Sequence, residues 1–189
     1  MLNQHKPPWG VGVLVSGSGS NLQALIDAGI PVAAVAANIS DAGGLARAEA
    51  AGVPTSVFPL AAYANRDARD RAMAHWLESL GVGLVVCAGY MQLLRPVFLE
   101  RFPGRVVNVH PALLPAFPGA HAVEDALVSG AVETGATVHL VDEGVDTGAV
   151  LRQEAVIVLP GDTAATLHAR IQAVEHRLLP AVVKELMSV

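Results

Sequence analysis

Val11-Gly12-Val13-Leu14-Val15-Ser16-Gly17-Ser18-Gly19-Ser20-Asn21-Leu22 is the stretch that decides the fold. A short apolar run stops at a Gly/Ser loop, and a helical pattern opens near Asn21. A strand that enters a helix through such a loop is the first half of a βαβ unit. The pattern then recurs along the chain. Val32–Ala37 precedes a helix across Leu45–Ala51, and Val53–Leu60 precedes Asp67–Leu80, where Ala68, Ala72, Trp76 and Leu80 share one helix face. Leu84–Ala88 and Val106–Val109 follow as further strands. Alternation of this kind predicts right-handed crossovers and a parallel sheet covered by helices on both faces, an α/β fold.

After His110 the texture changes. Pro111, Pro115, Pro118 and Gly119 make a loop of a length that suggests function, and the sequence leaves open whether Ala112–Ala120 closes over a site as a lid. A short helix over Ala122–Val128 follows, then strands Thr137–Val141 and Val150–Leu159 around the turn Asp142–Gly148. Asp162 is the expected N-cap of a last helix, and Pro180 is expected to kink or end its main body.

Composition narrows the class. The 189 residues are 52% apolar and 15% charged, with a formal net charge of −5. That hydrophobicity excludes a disordered chain, and the length suggests one domain over 1–189 with residues 1–10 as a flexible N-terminal extension. The acidic balance argues against a nucleic-acid partner bound through a broad basic face. Apolar runs such as Val32–Ala37 fall far short of the roughly 20 residues that a membrane span needs. No signal-peptide pattern opens the chain, and the lone Cys87 excludes an internal disulfide. The expectation is a soluble cytoplasmic protein.

The Ser16–Asn21 loop lies where open α/β sheets bind ligands, at the carboxyl end of a strand. Free N–H groups at a helix start suit a phosphate. A dinucleotide site fits poorly. Leu22 stands where the third glycine of G-x-G-x-x-G belongs, and Asn38 follows the second strand where an NAD site carries Asp or Glu. No G-K-[ST] follows either. A small phosphorylated ligand and a simple structural turn remain open on this motif alone.

Asn108 and His110 are two apart, so they leave the same face of their strand. A polar pair on an apolar strand requires partners or a cleft. Asp146, in the later turn, is a candidate to lie beside His110 and hold its ring protonated. There is no H-E-x-x-H or G-x-S-x-G, and Cys87 lies inside an apolar strand. Acid–base and oxyanion chemistry without a metal is what remains.

These residues carry a resemblance. Ser16–Leu22, Ala88-Gly89-Tyr90-Met91, Asn108–Pro115, Phe117-Pro118-Gly119, Gly135–His139 and Asp142–Gly148 resemble, in order and spacing, the folate-dependent formyltransferase family, in particular its glycinamide ribonucleotide enzymes. The resemblance runs from about Val11 to Leu186. It implies a single-domain Rossmann-like formyltransferase fold, with a mostly parallel twisted sheet and helices on both faces. It also implies transfer of formyl from 10-formyltetrahydrofolate, as co-substrate, to the amine of 5-phosphoribosylglycinamide in purine synthesis, with no metal and no NAD.

By position the family's roles fall on named residues. Asn108, His110 and Asp146 would be catalytic. Gly19, Ser20 and Asn21 would hold the phosphate, with Gln172 and Glu175 on the rest of the ribonucleotide. Arg66, Met91, Gln92, Leu93, Leu94 and Asn108 would bind the folate, and the turn Val141, Asp142, Glu143, Gly144, Val145 and Asp146 would line its pterin pocket. Gln92 departs from the family, where a basic residue is common, which favours a backbone role there. Two other readings share the fold: a formyltetrahydrofolate hydrolase, and a nucleotide-binding module without catalysis. A methionyl-tRNA formyltransferase would need a further RNA-binding domain. The sequence leaves the oligomeric state open, a homodimer being compatible with it.

Overall fold

The computed structural model describes residues 9–188. Seven strands form one sheet: β1 (Gly10–Val15), β2 (Val32–Ala37), β3 (Thr55–Val57), β4 (Val82–Cys87), β5 (Val106–His110), β6 (Glu133–Leu140) and β7 (Val150–Ile157). Their order is β3-β2-β1-β4-β5-β6-β7. The first five run parallel, whereas β6 pairs antiparallel with β5 and β7 antiparallel with β6. The helices are α1 (Ser20–Asp27), α2 (Gly43–Ala50), α3 (Arg66–Ser79), α4 (Pro96–Leu99), α5 (Ala122–Val128) and α6 (Ala164–Leu186).

Two apolar layers sandwich the sheet. On one face Val11, Val13, Val15, Val107 and Val109 pack under Leu22 and Leu25 of α1 and Leu167, Ile171 and Leu179 of α6. On the other face Leu14, Val85, Cys87 and Val106 pack under Met73, Ala74 and Leu77 of α3 and Phe98 of α4. Side chains alternate along a strand, so Val107 and Val109 face the first layer and Asn108 and His110 face the opposite side. Burial also drives the Cys87 thiol pKa up to about 12, so it stays a neutral core group.

The chain winds from β1 outward to β3, then crosses back beside β1 and continues through β4 and β5. The reversal makes β1/β4 a switch point, where the two loops leaving the carboxyl ends part and leave a crevice. Ser16–Gly19, which runs into the first turn of α1, and Ala88–Arg95 are those loops.

Three details differ from the sequence expectation. The third strand keeps only Thr55–Val57 of the expected Val53–Leu60, because it is an edge strand bracketed by Pro54 and Pro59, which have no N–H to donate. The N-cap of α6 is Thr163 rather than Asp162. Thr163 and Thr166 form a reciprocal capping box, while Asp162 accepts the Leu159 N–H and pairs with Arg170. Pro180 does not end α6, which continues to Leu186 because Leu178, Leu179, Val182 and Val183 are buried around it. Of the segment expected as an extension, residues 1–8 lie outside the described residues, Trp9 packs against the core and Gly10 begins β1. No described helix is long and apolar enough to cross a membrane.

Candidate active site

A cleft of about 740 Å³ opens at the switch point. It is lined from the first loop by Gly17–Asn21, from the second by Ala88–Leu93, from β5 by Asn108–Pro111, and from α6 by His168, Gln172 and Glu175. Val145 and Asp146 close it from the β6–β7 turn. A volume of this size suits a small-molecule ligand. Among the described residues, those that line it include no Lys or Arg.

The Gly/Ser loop is held in shape by a close approach. Gly19 has φ +74°, and a Cβ there would sit 2.4 Å from the Gly44 Cα of α2. Only glycine fits. It caps α1 with no side-chain hydrogen bond, so the first N–H groups of that helix remain free to meet an anion. Asn21 is buried and donates from Nδ2 to Glu175 Oε2 at 2.8 Å, which joins α1 to α6 on the cleft wall. Burial pushes the Glu175 carboxyl pKa upward, and the Asn21 hydrogen bond only partly offsets this.

On the opposite wall Asn108, His110 and Asp146 converge. His110 is 4% exposed, and its Nδ1 lies 3.3 Å from Asp146 Oδ2. Its Nε2 lies 2.7 Å from the Phe117 carbonyl oxygen. A carboxylate and a carbonyl can only accept, so a ring protonated on both nitrogens satisfies both contacts. Asp146 also accepts the Gly119 N–H at 2.8 Å. Its carboxyl pKa is held below the usual carboxylate range, first by the hydrogen bond to His139, then by the Gly119 N–H and the charge of His110, against partial burial. Phe117 and Asp146 are the described non-glycine residues with positive φ, at 53° and 54°. Such conformations cost about 1–3 kcal/mol, and both present an acceptor to His110.

His139 was not among the residues singled out by sequence. It pairs directly opposite Asn108 in the β5–β6 ladder, and its Nε2 lies 3.1 Å from Asn108 Nδ2 and 3.5 Å from Asp146 Oδ1. Neutral, Nε2 accepts from Asn108; charged, it donates to Asp146. Thr137, two residues earlier on the same face, donates to Ala112 O at 2.6 Å and accepts the Leu114 N–H at 3.1 Å, anchoring the start of the Pro-rich loop. Polar residues on an apolar strand were the available signal, as they were for Asn108 and His110.

The other expected residues divide. Met91, Gln92 and Leu93 line the cleft, but Leu94 is buried in the second core layer. Val141, Asp142, Glu143 and Gly144 lie outside the lining, as does Arg66, which is exposed at the first position of α3. His168 joins Gln172 and Glu175 on the cleft side of α6, a position that sequence reading missed.

Residues 10–183 match the family model described as formyl transferase. The chain is 49% identical over 178 residues to a phosphoribosylglycinamide formyltransferase of Mycobacterium tuberculosis, covering 92% of this chain and 83% of that protein. Its structure resembles that of glycinamide ribonucleotide transformylase 1 from Symbiobacterium toebii, with a TM-score of 0.92 and 48% identity over 94% of this chain and 86% of the other. The phosphoribosylglycinamide formyltransferase structure from Streptococcus pneumoniae gives 0.91 and 42%, covering 94% and 98% respectively.

Proposed function

The chain belongs to the formyl transferase family, and from that premise we propose how its cleft carries out the phosphoribosylglycinamide formyl transfer of purine biosynthesis. The co-substrate in this reading is 10-formyltetrahydrofolate, held along Met91–Leu93 and beside Val145, which line the cleft. The ribonucleotide phosphate meets the backbone of Gly19–Asn21, which agrees with a lining that has no Lys or Arg. Gln172 and Glu175 face the glycinamide portion.

The observation that carries the reading is the convergence of Asn108, His110 and Asp146 on one cleft with the Gly/Ser loop. The substrate amine attacks the formyl carbon, and negative charge grows on the formyl oxygen. Asn108 Nδ2 donates to that oxygen, and charged His110 stabilises it and supplies a proton. Each such preorganised donor is worth roughly 10²–10³ in rate. In the described structure the Phe117 carbonyl accepts at Nε2, so the growing oxyanion competes with it for that proton. Asp146 balances the His110 charge and orders the water that relays the amine proton to the leaving nitrogen. When the C=O re-forms and the C–N10 bond breaks, the oxygen returns its proton to His110, and the relayed amine proton stays on the nitrogen of the departing tetrahydrofolate.

Mixing the protein with 10-formyl-5,8-dideazafolate and glycinamide ribonucleotide tests this by the absorbance of the deformylated product. Product only when the ribonucleotide is present supports transfer. Product without it identifies a hydrolase instead.

A further inference from the structure

Beneath the loop that leaves β4 lies a fully buried ion pair for which the proposed chemistry has no use. The side chains of Arg69 and Asp70, adjacent on α3, are 1% and 0% exposed. Arg69 Nε donates to Asp70 Oδ1 at 2.7 Å. Removing two charges from water costs more than their attraction commonly returns, and apolar residues of equal volume often serve stability as well or better. Stability is therefore a poor account of this pair.

Its outward contacts all reach one segment. Asp70 Oδ2 accepts the Arg95 backbone N–H at 2.7 Å. Arg69 Nη1 donates to Gln92 Oε1 at 3.3 Å, and Gln92 Nε2 in turn donates to the Met91 carbonyl at 3.0 Å. Residues 91–95 form no helix or strand, and Met91 and Leu93 are 60% and 51% exposed. A backbone without a ladder takes its shape from whatever fixes its polar groups. Here those groups are fixed by Ser16 Oγ, which accepts the Met91 N–H at 2.9 Å, and by the Arg69–Asp70 pair at the far end.

We infer that Arg69 and Asp70 are positioning residues that shape Met91–Arg95 into the edge against which the folate heterocycle binds. The inference rests on the co-substrate reading given above. The pair touches no substrate. It spends buried charge on holding an irregular segment in one conformation before the ligand arrives.

The test is the Arg69→Met/Asp70→Leu double variant, which removes both charges and the hydrogen bonds they make. Thermal unfolding establishes that it is folded. Its Kd for 10-formyl-5,8-dideazafolate, by fluorescence titration, should rise tenfold or more. KM for the ribonucleotide and kcat at saturating folate should stay within about twofold. Wild-type affinity in a folded double variant overturns the inference, and so does a loss shared equally by both substrates. Hydrogen exchange on the wild-type protein supplies a measurement that needs no variant. The Arg95 amide should be protected without ligand, and fast exchange there overturns the inference even if the double variant does not fold. A wild-type protein that fails to bind the dideazafolate refutes the co-substrate reading itself, which the exchange result leaves distinguishable.

Discussion

Asp146 Oδ2 meets two partners from one chain segment: it lies 3.3 Å from His110 Nδ1 and accepts the Gly119 N–H at 2.8 Å. A single carboxylate thus faces the His110 ring and fixes the path of the Pro-rich loop past it. The Phe117 carbonyl closes the circuit on the other ring nitrogen.

Asp146→Ala should lose about 10²–10³ in kcat while the circular dichroism spectrum is retained. Near-normal turnover of the purified variant would remove Asp146 from the mechanism.

The same carboxylate has a stability signature. Its folded pKa is lowered, so the unfolded chain takes up the proton first as pH falls. Its contribution is full above the unfolded value, about 3.9, and is lost as pH falls through the lower folded value. The stability gap between wild type and Asp146→Asn should therefore be constant near neutrality and narrow below about pH 4. Urea melts from pH 3 to 7 measure this, and a gap that widens in acid contradicts it.

Glu175 has the opposite sign. Its folded pKa is raised by burial, so the stability tied to its proton is full below about 4.3 and lost as pH rises through the folded value. Glu175→Gln should melt above wild type at pH 8 and with it near pH 4. The ribonucleotide KM should rise roughly tenfold as a charged contact becomes neutral. A variant less stable than wild type at pH 8 refutes the stability half.

Ser16 links the two loops of the cleft. Its Oγ donates to Asn38 Oδ1 at 2.6 Å and accepts the Met91 N–H, and its own N–H reaches Gly89 O. Ser16→Ala should raise KM for both substrates by several-fold, since each lost hydrogen bond is worth about 0.5–1.5 kcal/mol, with kcat little changed. A change confined to one substrate shows that the loops act separately.

The parallel half of the fold was legible because each strand declares itself by an apolar run and each crossover by a helical period. Asn108 and His110 were legible for the inverse reason, as polar residues inside such a run. Asn38 was noted only as the residue that excludes NAD, yet it orients Ser16. His139 was hidden because its role depends on which β6 residue falls opposite Asn108, and that register comes from tertiary pairing. Arg69 and Asp70 resemble ordinary surface charges of a helix. Only the packing of α3 against α4 and the sheet buries them.

Asn21 and Glu175 meet across 154 positions of the chain. A ribosome delivers Asn21 of the Gly/Ser loop 154 residues before Glu175 of the wall that faces it. A nascent chain can assemble the parallel strands first, and α1 gains its α6 partner only after α6 has emerged. The cleft is therefore enclosed after the parallel strands are in place, and a chain interrupted before α6 has the Gly/Ser loop but not the wall that faces it.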